Sequence, residues 1–270
     1  MIDGIHVLLL EDDFAARNMM ELLLRRDWRT KVTKAAKNPE ELSVILDGVR
    51  KHKERIDLIL IDTDIPLDPY HWMSDALSHL DQKTPVTPVL FSGIKPDAKV
   101  ARMRARSNFA GYILKDEIRF SLAWAVVLAA DHRIIVTPGT YELYGRENPL
   151  PHGTLILDGR RPIAGFTEQD AERARMALIF SMQRHEMADE LGTSEDYSYG
   201  IVSSLFEKMG LNELFNGDVK PEQFFETHPA VHPHLEKIIE HVHRTTSKKA
   251  VDIETLAFHF LTLPEIEEIH

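Results

Sequence analysis

Carboxylates, one hydroxyl and one lysine follow successive apolar segments in the N-terminal half of the sequence. Acids at strand ends are often only solvated caps, but here they recur on successive segments together with a lysine and a serine. Clustered carboxylates repel one another unless a cation neutralises them, and hard oxygen ligands suit Mg²⁺. A carboxylate beside that ion is a nucleophile toward phosphorus, while lysine and hydroxyl groups bind phosphoryl oxygens. The pattern predicts a Mg²⁺-assisted aspartyl-phosphate site formed by Glu11, Asp12, Asp62, Asp64, Ser92 and Lys115.

The elements that must position these residues alternate along the first 139 positions. Strand-length apolar segments are separated by stretches with helical spacing, as in FAARNMMELLLRR (14–26) and NPEELSVILDGVRKH (38–52). Continuous apolar strands that alternate with helices are typical of a parallel sheet covered on both faces. We therefore predict an α/β fold, a doubly wound, five-stranded parallel domain over 1–139. In such a domain the carboxyl ends of the strands meet at one edge, which gathers the polar residues into one site.

Three further regions are predicted after this domain. Residues 140–165 contain NPLPHG and DGRRP, turn-forming sequences that indicate a linker. Residues 166–211 have helical periodicity, with Gly192 and Gly210 at positions where helices end. Residues 212–270 are predicted to form a helical C-terminal extension, because HLEKIIEHVHRT and DIETLAFHFLTL have amphipathic spacing.

Composition restricts the function classes. The chain has 270 residues, no cysteine and a net charge of −11, which excludes disulfides, thiol catalysis and cysteine-ligated zinc. Residues 1–165 hold 23 basic and 23 acidic residues, whereas residues 166–270 hold 9 and 20. An acidic C-terminal part has the wrong sign for phosphate attraction. The N-terminal apolar run is too short to span a membrane and ends in acids, so we expect a cytoplasmic protein without a membrane partner.

The motifs VLLLEDD, LILIDTDIP, VLFSG and GYILKD together resemble the receiver domain of bacterial two-component response regulators. The resemblance implies that Asp62 is the phospho-acceptor. It also implies that Asp12 and Asp62 ligate Mg²⁺ directly, with Glu11 acting through a water and Asp64 through its backbone carbonyl. Arg17, five residues after Asp12, sets this register, which implies that Asp13 is the next residue and not a ligand.

The same resemblance assigns roles to three residues on the fourth and fifth strands. It implies that Ser92 and Lys115 sense the phosphoryl group and that Tyr112 is the switch aromatic. Without the resemblance, a half-buried aromatic of a strand is the preferred interpretation of Tyr112. The Lys115-Asp116 pair is typical of the subfamily that includes NarL and FixJ.

Residues 166–211 resemble the LuxR/FixJ-type helix-turn-helix, which is a DNA-binding fold. The packing positions of that motif are kept, but the recognition helix carries Asp196 and Tyr199 where basic residues are common, and Gly200-Ile201 where Asn-His is usual. Two readings stay open. In the first the helix binds DNA with unusual specificity. In the second the fold persists as a degenerate helix-turn-helix that binds a protein through an output face formed by Tyr197, Tyr199, Gly200 and Ile201.

Together these features predict a response regulator, a phospho-acceptor switch rather than a turnover enzyme, with slow autodephosphorylation at most. Its partner would be a cognate histidine kinase, and its output would be transcription regulation through DNA. The alternative is a phosphorylation-controlled protein-binding adaptor. A basic surface on the helix after the fourth strand is typical of a solvated face. The alternatives are a surface for a homodimer or a protein partner, and a contact with the acidic C-terminal part of the same chain; the residues are Lys95, Lys99, Arg102, Arg104 and Arg106.

Overall fold

We describe the fold from a computed structural model of the chain. The described residues are 4–65, 87–104, 106–147, 149–163, 165–216, 218–220, 223, 228–245 and 249–270. They divide into two compact units, which are treated separately below. The first comprises residues 1–160 and 264–270, and the second comprises residues 161–263.

The first unit is built on a sheet with eight strands among the described residues, in the order β2-β1-β3-β4-β5-β6-β7-β8. All neighbouring pairs are parallel except β7 and β8, which are antiparallel. The strands are β1 (Ile5–Leu10), β2 (Thr30–Ala36), β3 (Leu58–Asp62), β4 (Val89–Gly93), β5 (Phe109–Leu114), β6 (Ile135–Val136), β7 (Leu155–Asp158) and β8 (Glu265–Glu268). The predicted α/β class is confirmed.

Helices pack on this sheet because apolar residues line one side of each. The Asp13 side chain caps the first helix by accepting from Ala16 N, and Asn38 with Pro39 begins the second. The helix at Leu122–Ala130 is apolar all round and buried, as expected for a helix covered on every side. Among the described residues, this unit contains helices α1 (Phe14–Arg26), α2 (Pro39–His52), α3 (Ala98–Met103), α4 (Lys115–Ile118), α5 (Leu122–Ala130) and α6 (Pro138–Glu147).

The sheet extends beyond the five predicted strands, and the prediction of a linker over 140–165 is wrong. Most of that segment is ordered: α6 covers 138–147, and β7 lies in the sheet with Leu155 and Leu157 fully buried. Prolines and glycines there mark element ends, since Pro138 occupies the first turn of α6. Gly111 of β5 lets β6 approach. It has a φ of 132°, and a Cβ at that position would overlap the Ile135 carbonyl oxygen.

The end of the chain also departs from the prediction of a wholly helical extension. Residues 265–268 form β8, which pairs antiparallel with β7 and closes that edge of the sheet. Their burial alternates along the strand, as on a half-exposed edge. Arg133 contributes to this junction, because its Nη2 lies 2.7 Å from Glu268 Oε1.

The second unit is helical. A capping box at Thr167 and Asp170 begins its first helix, which continues into a short π-helical segment at Arg175–Ile179. The remaining helices pack around buried leucines and isoleucines such as Leu205, Leu235 and Ile238. The helices are α7 (Glu168–Ala174), α8 (Arg184–Leu191), α9 (Glu195–Lys208), α10 (Leu211–Asn216), α11 (His232–Thr245) and α12 (Lys249–Thr262). Within the described residues, none of the chain's helices is long and apolar enough to cross a membrane.

Candidate functional site

The carboxyl edge of the sheet brings the predicted acidic residues together. β1 and β3 are adjacent, so Glu11 and Asp62, at or just after their ends, lie side by side. Asp62 also pairs in register with Ser92 on β4. Glu11 and Ser92 are fully buried, and Asp62 is 1% exposed. Three strands that are far apart in sequence thus place two carboxylates and a hydroxyl at one point.

Lys115 joins this group from the next strand of the sheet. It is the first residue of α4, directly after β5, and its side chain is 20% exposed. Its Nζ lies 2.8 Å from Glu11 Oε2 and 2.9 Å from Asp62 Oδ1, with Asp64 Oδ2 at 3.8 Å. One ammonium group therefore bridges the two buried carboxylates.

Burial and mutual charge perturb all three ionisable groups. Desolvation raises the pKa of Glu11 from 4.5 to about 7, against the opposing hydrogen bond from Lys115, and the neighbouring charge of Asp62 adds to the rise. Desolvation likewise raises the pKa of Asp62, although Lys115 acts in the opposite direction. Burial alone would lower the pKa of Lys115, but the hydrogen bonds and charges of Glu11 and Asp62 raise it. The cluster has more negative charge than Lys115 can stabilise.

The donor set fits a hard divalent cation. Oxygens from the carboxylates of Glu11, Asp12 and Asp62 lie within 4.8 Å of one another. Asp62 Oδ2 is buried and accepts no hydrogen bond of good geometry among the described residues. Three carboxylates facing one ammonium group leave surplus negative charge, which a Mg²⁺ ion bound to oxygen would neutralise. Glu11, Asp12 and Asp62 are the side chains that would hold it.

The loop after β1 is fixed by two side chains that are not themselves in the cluster. Arg17 Nη1 donates to the carbonyl of Glu11 at 2.7 Å and to that of Asp12 at 3.3 Å. Asp13 turns away and caps α1, accepting from Ala16 N at 2.7 Å. The Asp13 carboxylate is therefore engaged in the cap of α1.

Asp64 uses its side chain to hold the neighbouring loop. Its Oδ2 accepts a 2.6 Å hydrogen bond from Ile94 N, in the segment between β4 and α3. The carboxylate is therefore engaged by backbone. Coordination of a metal through the Asp64 carbonyl stays a prediction.

Thr63 is a site residue that sequence reasoning missed. Its Oγ1 donates to the Ser92 carbonyl at 2.9 Å and lies 3.1 Å from the Tyr112 hydroxyl. Tyr112 is fully buried, and burial raises its pKa to about 12. Gly93 makes room for this contact, because a Cβ there would overlap the Tyr112 hydroxyl. The available signal was the position of Thr63 between two functional acids.

The predicted output face is only partly present on α9. Ser194 caps this helix by accepting from Tyr197 N at 3.3 Å, and Gly192 adopts the left-handed conformation between α8 and α9, with a φ of 61°. Tyr197 is 54% exposed and Gly200 is exposed. The side chain of Tyr199 lies outside the described part of the structure.

The assignment of Ile201 to the output face is wrong. Ile201 is 8% exposed and shares the buried side of α9 with Val202 and Leu205, which follow at helical spacing. It therefore packs into the helical unit. The exposed first turn of α9 contains Glu195 and Asp196, which give it a negative charge.

One residue of the predicted basic surface is engaged within the first unit. The Arg104 guanidinium lies 5.7 Å from the centroid of the Tyr144 ring on α6, and its Nη2 donates to the Pro149 carbonyl at 2.9 Å. The side chains of Lys99 and Arg102 lie outside the described residues. Dimerisation through this surface stays a prediction.

Sequence comparison and structure comparison give different results for this chain. No profile of a known protein family matches the sequence, and no curated protein matches it. Several solved structures that resemble the chain are structures of response regulators. They include the response regulator ChrA of a heme-sensing two-component system, with 18% identity, a TM-score of 0.41, and coverage of 77% of this chain and 91% of that chain.

Two other similar structures cover different shares of the chain. The receiver domain of the response regulator NarL from Mycobacterium tuberculosis has 20% identity and a TM-score of 0.39, and covers 48% of this chain and 99% of that chain. The complex of the response regulator RcsB with DNA has 14% identity and a TM-score of 0.43, and covers 76% and 91%. At these identities the likeness is one of fold.

Proposed function

We propose that this chain is a two-component response regulator whose Asp62 accepts a phosphoryl group from a histidine kinase. The observation that carries the proposal is the Lys115 ammonium, 2.8 Å from Glu11 and 2.9 Å from Asp62 at the carboxyl edge of the parallel sheet. A buried carboxylate beside a cation-binding acidic pair and a fixed ammonium suits attack on phosphorus. The chain would act as a switch rather than a turnover enzyme.

The proposed step is a single displacement at phosphorus. An oxygen of the ionised Asp62 carboxylate attacks the phosphoryl group of phosphohistidine, forming an acyl phosphate as the P–N bond breaks. The imidazole leaves with the electron pair of that bond and takes up a proton from solvent. Mg²⁺, when bound, neutralises charge on the transferring group. Lys115 and the Ser92 hydroxyl would bind phosphoryl oxygens, with Lys115 exchanging carboxylate partners for the new dianion.

A small-molecule phosphodonor tests this step without the kinase. We expect the full chain, incubated with acetyl phosphate and Mg²⁺, to gain one phosphoryl group by intact mass. Asp62→Asn should abolish the gain. Asp13→Asn is the matched control, because Asp13 is the neighbouring acid, lies outside the cluster, and asparagine preserves the helix cap. A gain that survives Asp62→Asn contradicts the assignment.

The output proposed for the second unit is DNA binding that regulates transcription. The α8–Gly192–α9 arrangement supports this output, because a capped second helix follows a tight turn as in a helix-turn-helix. One similar solved structure is a complex of RcsB with DNA. If α9 reads DNA, Tyr197 and neighbouring hydroxyl groups are the available contacts.

A second candidate output is binding of a protein, and the charge of α9 favours it. The first turn exposes Glu195 and Asp196, while Tyr197 is 54% exposed, a combination that repels phosphate and suits a protein interface. Fluorescence anisotropy with a random-sequence DNA duplex at low salt separates the two outputs. Binding in either phosphorylation state supports a DNA-binding regulator. Absence of binding in both states supports the adaptor.

A further inference from the structure

The segment between β4 and α3 contacts three separate parts of the first unit through three closely spaced residues. Ile94 N donates to Asp64 Oδ2 at 2.6 Å, beside the acidic cluster. The Lys95 carbonyl accepts a 2.6 Å hydrogen bond from the Tyr112 hydroxyl. The Asp97 carbonyl accepts from the Tyr144 hydroxyl, on α6, at 3.4 Å. Residues 94–97 therefore form a strap from the acidic cluster, past Tyr112, to α6.

The two tyrosines at the far end of the strap also contact each other. Their ring centroids are 6.3 Å apart, with an angle of 31° between the rings. Tyr112 is fully buried and Tyr144 is 2% exposed, within one core cluster that also contains Leu114 and Val136. Because such cores are close-packed, Tyr112 cannot change position without displacing Tyr144.

A second connection reaches the beginning of α6 from the two sides of Lys115. Leu114 N donates to Thr137 Oγ1 at 3.0 Å, and Glu117 Oε2 accepts from Gly139 N at 2.9 Å. Glu117 is 8% exposed, so this contact is shielded from water. A carboxylate at a helix start also interacts favourably with the helix dipole. A shift of the backbone on either side of Lys115 would therefore act on the beginning of α6.

We propose that α6 reads the phosphorylation state of Asp62 within this chain, with Tyr144 as the positioning residue that couples it to Tyr112. The proposal rests on the proposed function of Asp62. A phosphoryl group on Asp62 binds Lys115 and changes the loops that hold the strap. This change reaches α6 through the contact between Tyr112 and Tyr144 and through Glu117. The element that responds to Tyr112 is thus α6 of the same chain. It is followed by β7, which pairs with β8 at the edge of the sheet.

Hydrogen–deuterium exchange of the full chain tests this coupling. Samples with and without acetyl phosphate and Mg²⁺ are compared, and the intact mass of the protein in the same samples is measured to quantify phosphorylation. We expect phosphorylation to slow exchange of peptides covering 138–147 by roughly threefold or more, since ligation of the folded site stabilises the elements coupled to it. In Tyr144→Leu the phosphoryl group should still be gained, but the response of α6 should be lost.

Tyr141→Leu is the matched control. Tyr141 lies on the same helix but is 37% exposed, so this variant should keep the wild-type response. If circular dichroism shows that Tyr144→Leu is unfolded, Arg104→Gln replaces it, because this removes the guanidinium from the Tyr144 ring and the bond to Pro149. The response should then be weakened.

The outcomes separate the two proposals. Failure to gain a phosphoryl group would refute the proposed function of Asp62 and, with it, this coupling. Phosphorylation without slower exchange in α6 would overturn the coupling alone. A response that persists unchanged in the folded Tyr144 or Arg104 variant would also overturn it, because α6 would then sense phosphorylation without Tyr144.

Discussion

Replacing Glu11 with glutamine should stabilise the metal-free protein at neutral and higher pH. Glu11 is fully buried, and its pKa is raised from 4.5 to about 7, chiefly by desolvation. The folded state therefore binds a proton at this carboxyl more tightly than the unfolded state does. The contribution of the Glu11 carboxyl to the free energy of unfolding falls as the pH rises from about 4.5 to about 7 and is constant above that window. Glutamine resembles the protonated form and has no such dependence.

The magnitude follows from the shift. The rise in the pKa of Glu11 from 4.5 to about 7 corresponds to a loss of folding stability of at most about 3 kcal/mol. Because the shift is shared with Asp62 and Lys115, we expect Glu11→Gln to be more stable than the wild type by about 1 to 3 kcal/mol at pH 8. The difference should shrink to near zero at pH 4.5. In Mg²⁺ it should also shrink, because the ion binds the folded wild type and stabilises it.

Urea denaturation in EDTA at a series of pH values measures this difference directly. Glu142→Gln is the control, since Glu142 is an exposed glutamate on α6, and its profile should follow the wild type. Parallel stability profiles for the wild type and Glu11→Gln between pH 5 and pH 8 would refute the reasoning, because Glu11 would then titrate as it does in the unfolded chain.

Three further predictions concern elements outside the cluster. Asp170→Asn should destabilise the chain by about 1 kcal/mol in urea at pH 7, because the Asp170 carboxylate completes the capping box of α7 with Thr167 and lies 2.8 Å from Lys208. Lys208 is the main cause that lowers the pKa of Asp170 to about 2, so the contribution of this carboxylate is present above pH 3.8 and is lost toward pH 2. Equal losses at pH 2 and pH 7 would contradict this. Gly111→Ala should lower the thermal midpoint, because its Cβ overlaps the Ile135 carbonyl and displaces β6; an unchanged midpoint would count against the pairing. Asp196→Lys should strengthen binding to random duplex DNA at low salt if α9 faces DNA, and leave anisotropy unchanged if it does not.

The core of the acidic site was predictable because strand ends in a parallel sheet converge. Glu11, Asp62, Ser92 and Lys115 each follow or end a recognisable apolar strand, so the topology alone brings them together. Thr63 was missed, since its role depends on contacts of its hydroxyl with Ser92 on β4 and Tyr112 on β5, which are distant in the sequence. Such a contact has no periodicity in the sequence.

The extension of the sheet was not predictable for a different reason. β6 has two residues, and β8 has the sequence EIEE, whose polar residues give no signal of a buried strand. β8 exists because it pairs with β7, more than a hundred residues earlier in the chain. The glycines and prolines over 140–165 were read as a linker because they punctuate short elements, and only tertiary pairing reveals those elements.

The output helix shows the limit of reasoning from exposed positions. Assigning Ile201 to the outer face followed from a motif alignment, but the apolar stripe of α9 includes it with Val202 and Leu205. Glu195 and Asp196 in the first turn of α9 are exposed.

The central claim is that Asp62 forms an acyl phosphate, and borohydride trapping tests it most directly. Borohydride reduces an aspartyl phosphate to homoserine, so peptide mass spectrometry after treatment with acetyl phosphate and Mg²⁺ identifies the modified residue. We predict homoserine at position 62, absent when either the phosphodonor or Mg²⁺ is withheld. Homoserine at position 12 or 64 instead, or unmodified Asp62 in a sample that has gained a phosphoryl group, would contradict the account.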